Sequence, residues 1–196
     1  MKKSLLIALA LLVLPFSLVI SSGTANAAVE TEKSLNARLL TDAELAAALK
    51  VNGITIAIAK TYDNPSIEDK DLVSSGRRWD ARDGSIIFTS LLSYRDGRDL
   101  SPGDVKDVLS GEYAKNFAMS FFDKDTVNLV AVLDPLLDER DISHAFEAKF
   151  EGRALQVVSI SYVRGNIVGL VFFATADNQF TEAGAVFGGQ TAKLPK

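Results

Sequence analysis

The sequence predicts an α+β fold: a single, mostly antiparallel β-sheet of about six strands with helices packed on it. Three observations lead there. The first is the stretch Arg153 to Ala176, in which two apolar, β-branched runs flank Gly165-Asn166. Both turn residues tolerate positive φ, so the runs read as the arms of one hairpin. The second is the later arm, Ile167 to Ala174, apolar at nearly every position. A strand of that kind needs cover on both faces and reads as the centre of the sheet. The third is the order of elements after the first helix: strand, strand, helix, four strands in succession, helix. Strands that follow one another through tight turns pair antiparallel.

The chain begins with a segment that reads as a secretory leader. Lys2 and Lys3 precede the apolar run Leu5 to Ile20, broken at Pro15, and Ala25-Asn26-Ala27 supplies a small-residue cleavage site, with the cut expected after Ala27. No later stretch is apolar for long enough to suggest a spanning helix in the mature chain. Residues 28–40 read as a flexible lead-in without clear periodicity, and residues 41–196 as one α+β domain. Removing the leader takes away two lysines and moves the formal charge from −4 to −6. That speaks against nucleic acid as a partner, because phosphate backbones need concentrated positive charge. The chain has no cysteine and one histidine, His144. An exported protein of this kind has no disulfide to lean on and needs a large core. A zinc site would have to be built mostly from carboxylates. No cofactor is expected.

The elements follow in order. Thr41-Asp42-Ala43-Glu44 has capping-box spacing and opens a short helix to Lys50, stopped at Asn52-Gly53. Ile54 to Ala59 alternates large and small and reads as a strand. Tyr62 to Arg78 reads as a long polar connection, with a turn at Ser74-Ser75-Gly76. Asp83-Gly84 leads into a strand from Ser85 to Tyr94. Ser101, Pro102 and Asp104 start the clearest helix, with Val105, Leu109, Tyr113 and Phe117 on one stripe. Thr126 to Leu133 and Ser143 to Phe150 read as strands, and residues 134–141 as an acidic loop between them. After the hairpin, Thr175 or Asp177 caps a last helix with Ala183 and Phe187 on one face, ended by Gly188-Gly189.

Three segments carry a resemblance: VNGITIAIAKTYDNP as a first strand ending in a Pro turn, SIIFTSLLSY before a capped helix, and FEGRALQVVSISYVRGNIVGLVFFATADNQF as a hairpin feeding a terminal helix. In element order this resembles the PsbP-like fold, an extrinsic photosynthetic subunit family with many non-photosynthetic bacterial relatives. The resemblance covers most of the mature chain and is one of pattern. It implies a non-catalytic binding, assembly or accessory role, and it carries over no site residue.

Candidate chemistry is sparse. Asp138, Glu139, Asp141 and His144 form the best titratable cluster, since a base near a carboxylate can do general acid–base work. His144 also falls on the apolar face shared by Phe146 and Phe150, which favours a structural histidine. Trp79, beside Arg77 and Arg78, can serve as a binding platform or cover the edge of a core. Asp80 with Asp83, and Asp96 with Asp99, stand three apart near glycines, a pattern that turns explain without a metal. No Gly-x-Ser-x-Gly, P-loop or dinucleotide glycine fingerprint is present. The expectation is an exported, non-catalytic envelope protein whose partner is another envelope protein or a small ligand. Arg77, Arg78, Trp79, Asp138, Asp141 and His144 are its candidate binding residues. One alternative is a small-molecule or lipid carrier with a pocket lined by Phe117, Phe121, Phe122, Phe146 and Phe172; another is a carboxylate-based hydrolase. The residues fix no oligomeric state.

Overall fold

In the computed structural model, which describes residues 29–64, 71–133, 140–176 and 180–194, seven strands form one antiparallel sheet. They are β1 (Ile58–Asn64), β2 (Leu72–Ala81), β3 (Ile86–Tyr94), β4 (Asn128–Leu133), β5 (Asp141–Phe150), β6 (Arg153–Arg164) and β7 (Ile167–Thr175). Their spatial order is β1-β2-β3-β7-β6-β5-β4. Two meanders therefore meet where β7 returns beside β3. The leader segment, its cleavage point, and the acids Asp138 and Glu139 lie outside the described residues.

The hairpin expected at the centre is there. Every residue of β7 is buried between β3 and β6. Gly165 takes φ 59 at the turn while Asn166 does not take a positive φ. This fits a turn with glycine at its first central position rather than one with both residues left-handed.

Helices cover both faces. On one lie α1 (Glu32–Arg38), α2 (Asp42–Val51) and α5 (Phe180–Thr191); on the other lie α3 (Pro102–Val108) and α4 (Gly111–Phe121). Alternation along each strand builds the two cores. Ile87, Leu91, Ile160, Tyr162, Val171 and Phe173 face the first group of helices. Phe88, Phe146, Val157, Leu170 and Phe172 face the second. Each fully buried side chain of this size stabilises the fold by roughly 1.5–3 kcal/mol relative to exposure. Among the described residues, no helix is long and apolar enough to cross a membrane.

Four expectations need correction. Residues 29–40 are not a loose lead-in. Thr31 caps α1 in a capping box, and Leu35, Leu39 and Leu40 are buried. Within α1 itself only Leu35 is buried, so the apolar stripe was too short to show as a period. The "polar connection" contains β2. Its Ser74, Ser75 and Gly76 are strand residues paired with Leu92, Leu91 and Ser90. Small polar residues occupy central strand positions there because neighbouring strands satisfy the backbone, and composition alone read them as a turn. The first strand starts at Ile58 rather than Ile54, although Ile54 and Ile56 still pack on the first core.

The fourth correction concerns the helices. The long amphipathic helix is two, because Ser110 caps a new one by accepting the N–H of Tyr113 at 3.2 Å. At the other end, α5 runs through Gly188-Gly189 to Thr191. A Cβ on Gly189 would lie 2.9 Å from the Cβ of Ala48. The glycine is there to let α5 cross α2 closely, not to end the helix. The predicted caps at Thr41 and Ser101 both form, each as a reciprocal capping box.

Candidate functional site: the open edge of the sheet

The sequence-predicted residues divide between the two ends of the sheet. Arg77, Arg78 and Trp79 lie in mid-strand on β2, so alternation sends Arg77 and Trp79 to one face and Arg78 to the other. Trp79 is fully buried, and its indole N–H donates to Asp42 Oδ1 at 2.7 Å. Arg77 donates to Asp63 at 2.6 Å, to the Leu40 carbonyl at 2.7 Å and to Asn36 at 3.1 Å. Arg78 makes a two-pronged contact with Asp80, at 2.5 and 2.8 Å. Its guanidinium also sits 5.3 Å from the rings of Tyr62 and Phe121 and 4.9 Å from that of Phe150. These are the geometries of ion pairing and cation–π attraction inside a fold. Of the two readings of Trp79, cover for a core is the one the structure shows, and the segment is a seam that fixes β1, α1 and α2 to the sheet.

Asp141 and His144 are not brought together. They stand three residues apart on β5, and an odd spacing in a strand puts side chains on opposite faces. Asp141 lies across from Tyr162 and meets Arg164 at 3.4 Å. His144 lies across from Ser159, on the α3–α4 side. The acid–base pair suggested by their proximity in sequence does not form. Asp138 lies outside the described residues. The turn aspartates do what turn aspartates do: Asp83 accepts the N–H of Ser85 and Asp96 that of Arg98. Among the described residues, no group of three or more acids and histidines is placed to hold a metal.

The five phenylalanines of the carrier reading lie in the α3–α4 core, and four of them pack ring on ring. Phe117 stacks on Phe172 at 5.1 Å, Phe121 meets Phe122 at 5.1 Å, and Phe122 meets Phe172 at 6.3 Å. Such contacts make the aromatic group a packed core.

The edge strand with exposed apolar side chains is β4. It is the last strand of the sheet, and among the described residues nothing pairs with its outer side. Its sequence, NLVAVL, carries no charge. Leu129, Val130 and Val132 are 42%, 59% and 58% exposed. A register shift between Leu129 and Ala131 marks a bulge at Val130. Beside this strand, on the face that α1, α2 and α5 leave uncovered, is a shallow polar groove of about 530 Å³. Asp125, Asn128, Glu147, Lys149 and Gln156 line it. The site thus joins an apolar strand edge, whose outer main-chain groups no described strand pairs, to a polar, mixed-charge floor. Such an edge can accept an extended segment as an added strand. Reading the sequence as a strand did not reveal it; the available signal was an uncharged apolar run with polar residues before it and an acidic segment after it.

No protein-family model matches the chain, and no curated protein matches it in sequence. Among solved structures it is similar in fold to the extracellular domain of PknH from Mycobacterium tuberculosis. The TM-score is 0.51 at 11% identity, over 85% of this chain and 97% of that one. LpqN, involved in cell envelope biogenesis of Mycobacterium tuberculosis, aligns at a TM-score of 0.36 and 10% identity, over 80% of this chain and 97% of that one. At such identities the first likeness concerns the fold alone, and the second carries no assignment.

Proposed function

We propose that this chain is an exported, non-catalytic domain of the bacterial envelope that binds another envelope protein along β4. The observation that carries this reading is the uncharged edge strand with Leu129, Val130 and Val132 exposed beside a polar groove. Its main-chain donors and acceptors select an extended segment, and its side chains select an apolar one. The leader-like start of the sequence and the fold shared with an extracellular domain support the location and the accessory role.

The test is a photo-crosslinking amino acid at Val130 or Val132, with one at Val51 as control, in the native envelope. Val51 is 87% exposed and sits at the end of α2, away from the edge. The expected result is one adduct of defined mass from the edge positions and none from Val51, lost on Val132→Lys. The lysine variant should keep its stability within about 0.5 kcal/mol, because the site is on the surface. Equal labelling from Val51, or an adduct of twice the chain's own mass, would overturn the reading.

A further inference from the structure

We propose that His144 makes the seating of α4 and β4 on the sheet proton-sensitive: the neutral ring holds them, and protonation releases them. This goes beyond the docking reading and does not depend on it. His144 is fully buried, and neither ring nitrogen has a hydrogen-bond partner among the described residues. The buried hydroxyls of Ser159, directly across on β6, and of Ser161 are also unpartnered. The first residue of α4, Gly111, lies on the ring: a Cβ there would be 3.4 Å from Nε2 and 3.6 Å from a methyl of Leu129 on β4. Val132 of β4 is the cross-strand neighbour of His144 on its other side. The ring therefore lies against the start of α4 and on the strand next to β4.

The charged surroundings do not welcome an imidazolium. β4 contributes no titratable residue. On this face of β6 stand Val157, Ser159 and Ser161, and on that of β5 stands Phe146, its ring centroid 6.1 Å away. Asp141 and Glu147 project from β5 to the opposite face. From the helical layer come Gly111 itself and, nearby in sequence, Asp107, Glu112, Tyr113 and Lys115. Burial pushes the Tyr113 phenol up to about 12, so it stays neutral. Gly111 presents the positive end of the α4 dipole, which opposes a second positive charge. Glu112 is the acidic residue in the first turn of α4, and it is exposed. Burial holds the His144 ring below the ordinary histidine value.

The direction of the effect follows. Above pH 6.5 the ring is neutral whether the protein is folded or unfolded, and stability does not depend on it. Below that value the unfolded chain takes the proton and the folded one resists. The folded-to-unfolded ratio then drops by up to about tenfold per pH unit until the buried ring itself charges. His144 is the only histidine, so the measurement is free of overlap.

The experiment uses protein carrying isotope-labelled histidine, followed by NMR while the pH is lowered from 8 to 4.5, together with amide exchange of α4. The expected result is one ring titrating below 6.5, with exchange in α4 and β4 rising as it charges. His144→Phe and His144→Leu should lose that acid-induced rise while keeping the response of the carboxylates. A ring that titrates at or above 6.5, or an α4 response identical in wild type and both variants, would overturn the proposal. Should neither variant fold, the wild-type ring titration and its coincidence with α4 exchange decide it alone.

Discussion

At one edge of the sheet, β1 carries Lys60 and Asp63 and is held from the side. Asp63 pairs with Arg77, Thr61 donates to Asp42 at 3.0 Å, and Tyr62 lies against the Arg78 guanidinium. At the other edge, β4 has no charge and exposes Leu129, Val130 and Val132. Charged residues and side-chain cover are how natural sheets stop edge-to-edge pairing. One edge of this protein carries charges and side-chain ties to α2, and the other carries no charge. The residues that looked functional in the sequence, Arg77, Arg78 and Trp79, are part of the closed edge. The residues that looked like plain strand form the open one.

Damage on the β1 side of the sheet therefore costs stability and leaves docking at β4 alone. The largest effect is expected for Trp79→Ala, which removes a fully buried indole and leaves Asp42 Oδ1 with the Thr61 hydroxyl but without the indole N–H. A loss of about 3–5 kcal/mol should appear in urea unfolding. A loss under 1 kcal/mol would mean that Trp79 does not organise this side of the sheet. Next is Asp80→Asn, which leaves Arg78 without its carboxylate among three rings. About 2 kcal/mol is expected, with β4 crosslinking unchanged. A matching loss of crosslinking would show that the two edges are coupled and sink the division drawn here.

The smallest effect belongs to Glu44, which caps α2 and meets Lys193 at 2.7 Å. The bond to Lys193, followed by that to the Thr41 backbone, lowers its carboxyl to about 2. A lowered carboxylate adds stability above pH 4.5 that is lost as the pH falls from there towards 2. The pair is largely exposed and solvent screens it, so Glu44→Gln should cost only about 0.5 kcal/mol. The difference between wild type and variant should shrink with added salt and vanish at low pH. A difference that persists at pH 2 would assign the effect to capping alone.

Much of the fold was legible because it rests on local rules. The capping boxes at Thr41 and Ser101 and the doubly covered hairpin arm are each written within a dozen residues. The missed features rest on contacts distant in sequence. β2 hides behind Ser74-Ser75-Gly76, whose strand pairing with β3 composition does not announce. Gly189 reads as a stop until Ala48, on another helix, explains it. The Asp141–His144 pairing failed for a reason that was already in the sequence: an odd spacing on one strand separates faces.

The deepest limit lies in two similar strands. The sequence by itself determined that NLVAVL and IVGLVFFAT are apolar strands, because β-branched and aromatic residues favour a pleated, buried surface. It determined that the sheet is antiparallel with helices on it, because turn residues punctuate the chain at short intervals. Only the tertiary structure decided that β7 lies in the middle and β4 at the rim. Hydrophobicity states that a strand can be covered, while strand order, set by how α3 and α4 carry the chain from β3 across to β4, states which strand is. The open edge follows from that crossover, because a sheet that does not close must end somewhere, and here it ends on a strand that its own composition would have placed inside.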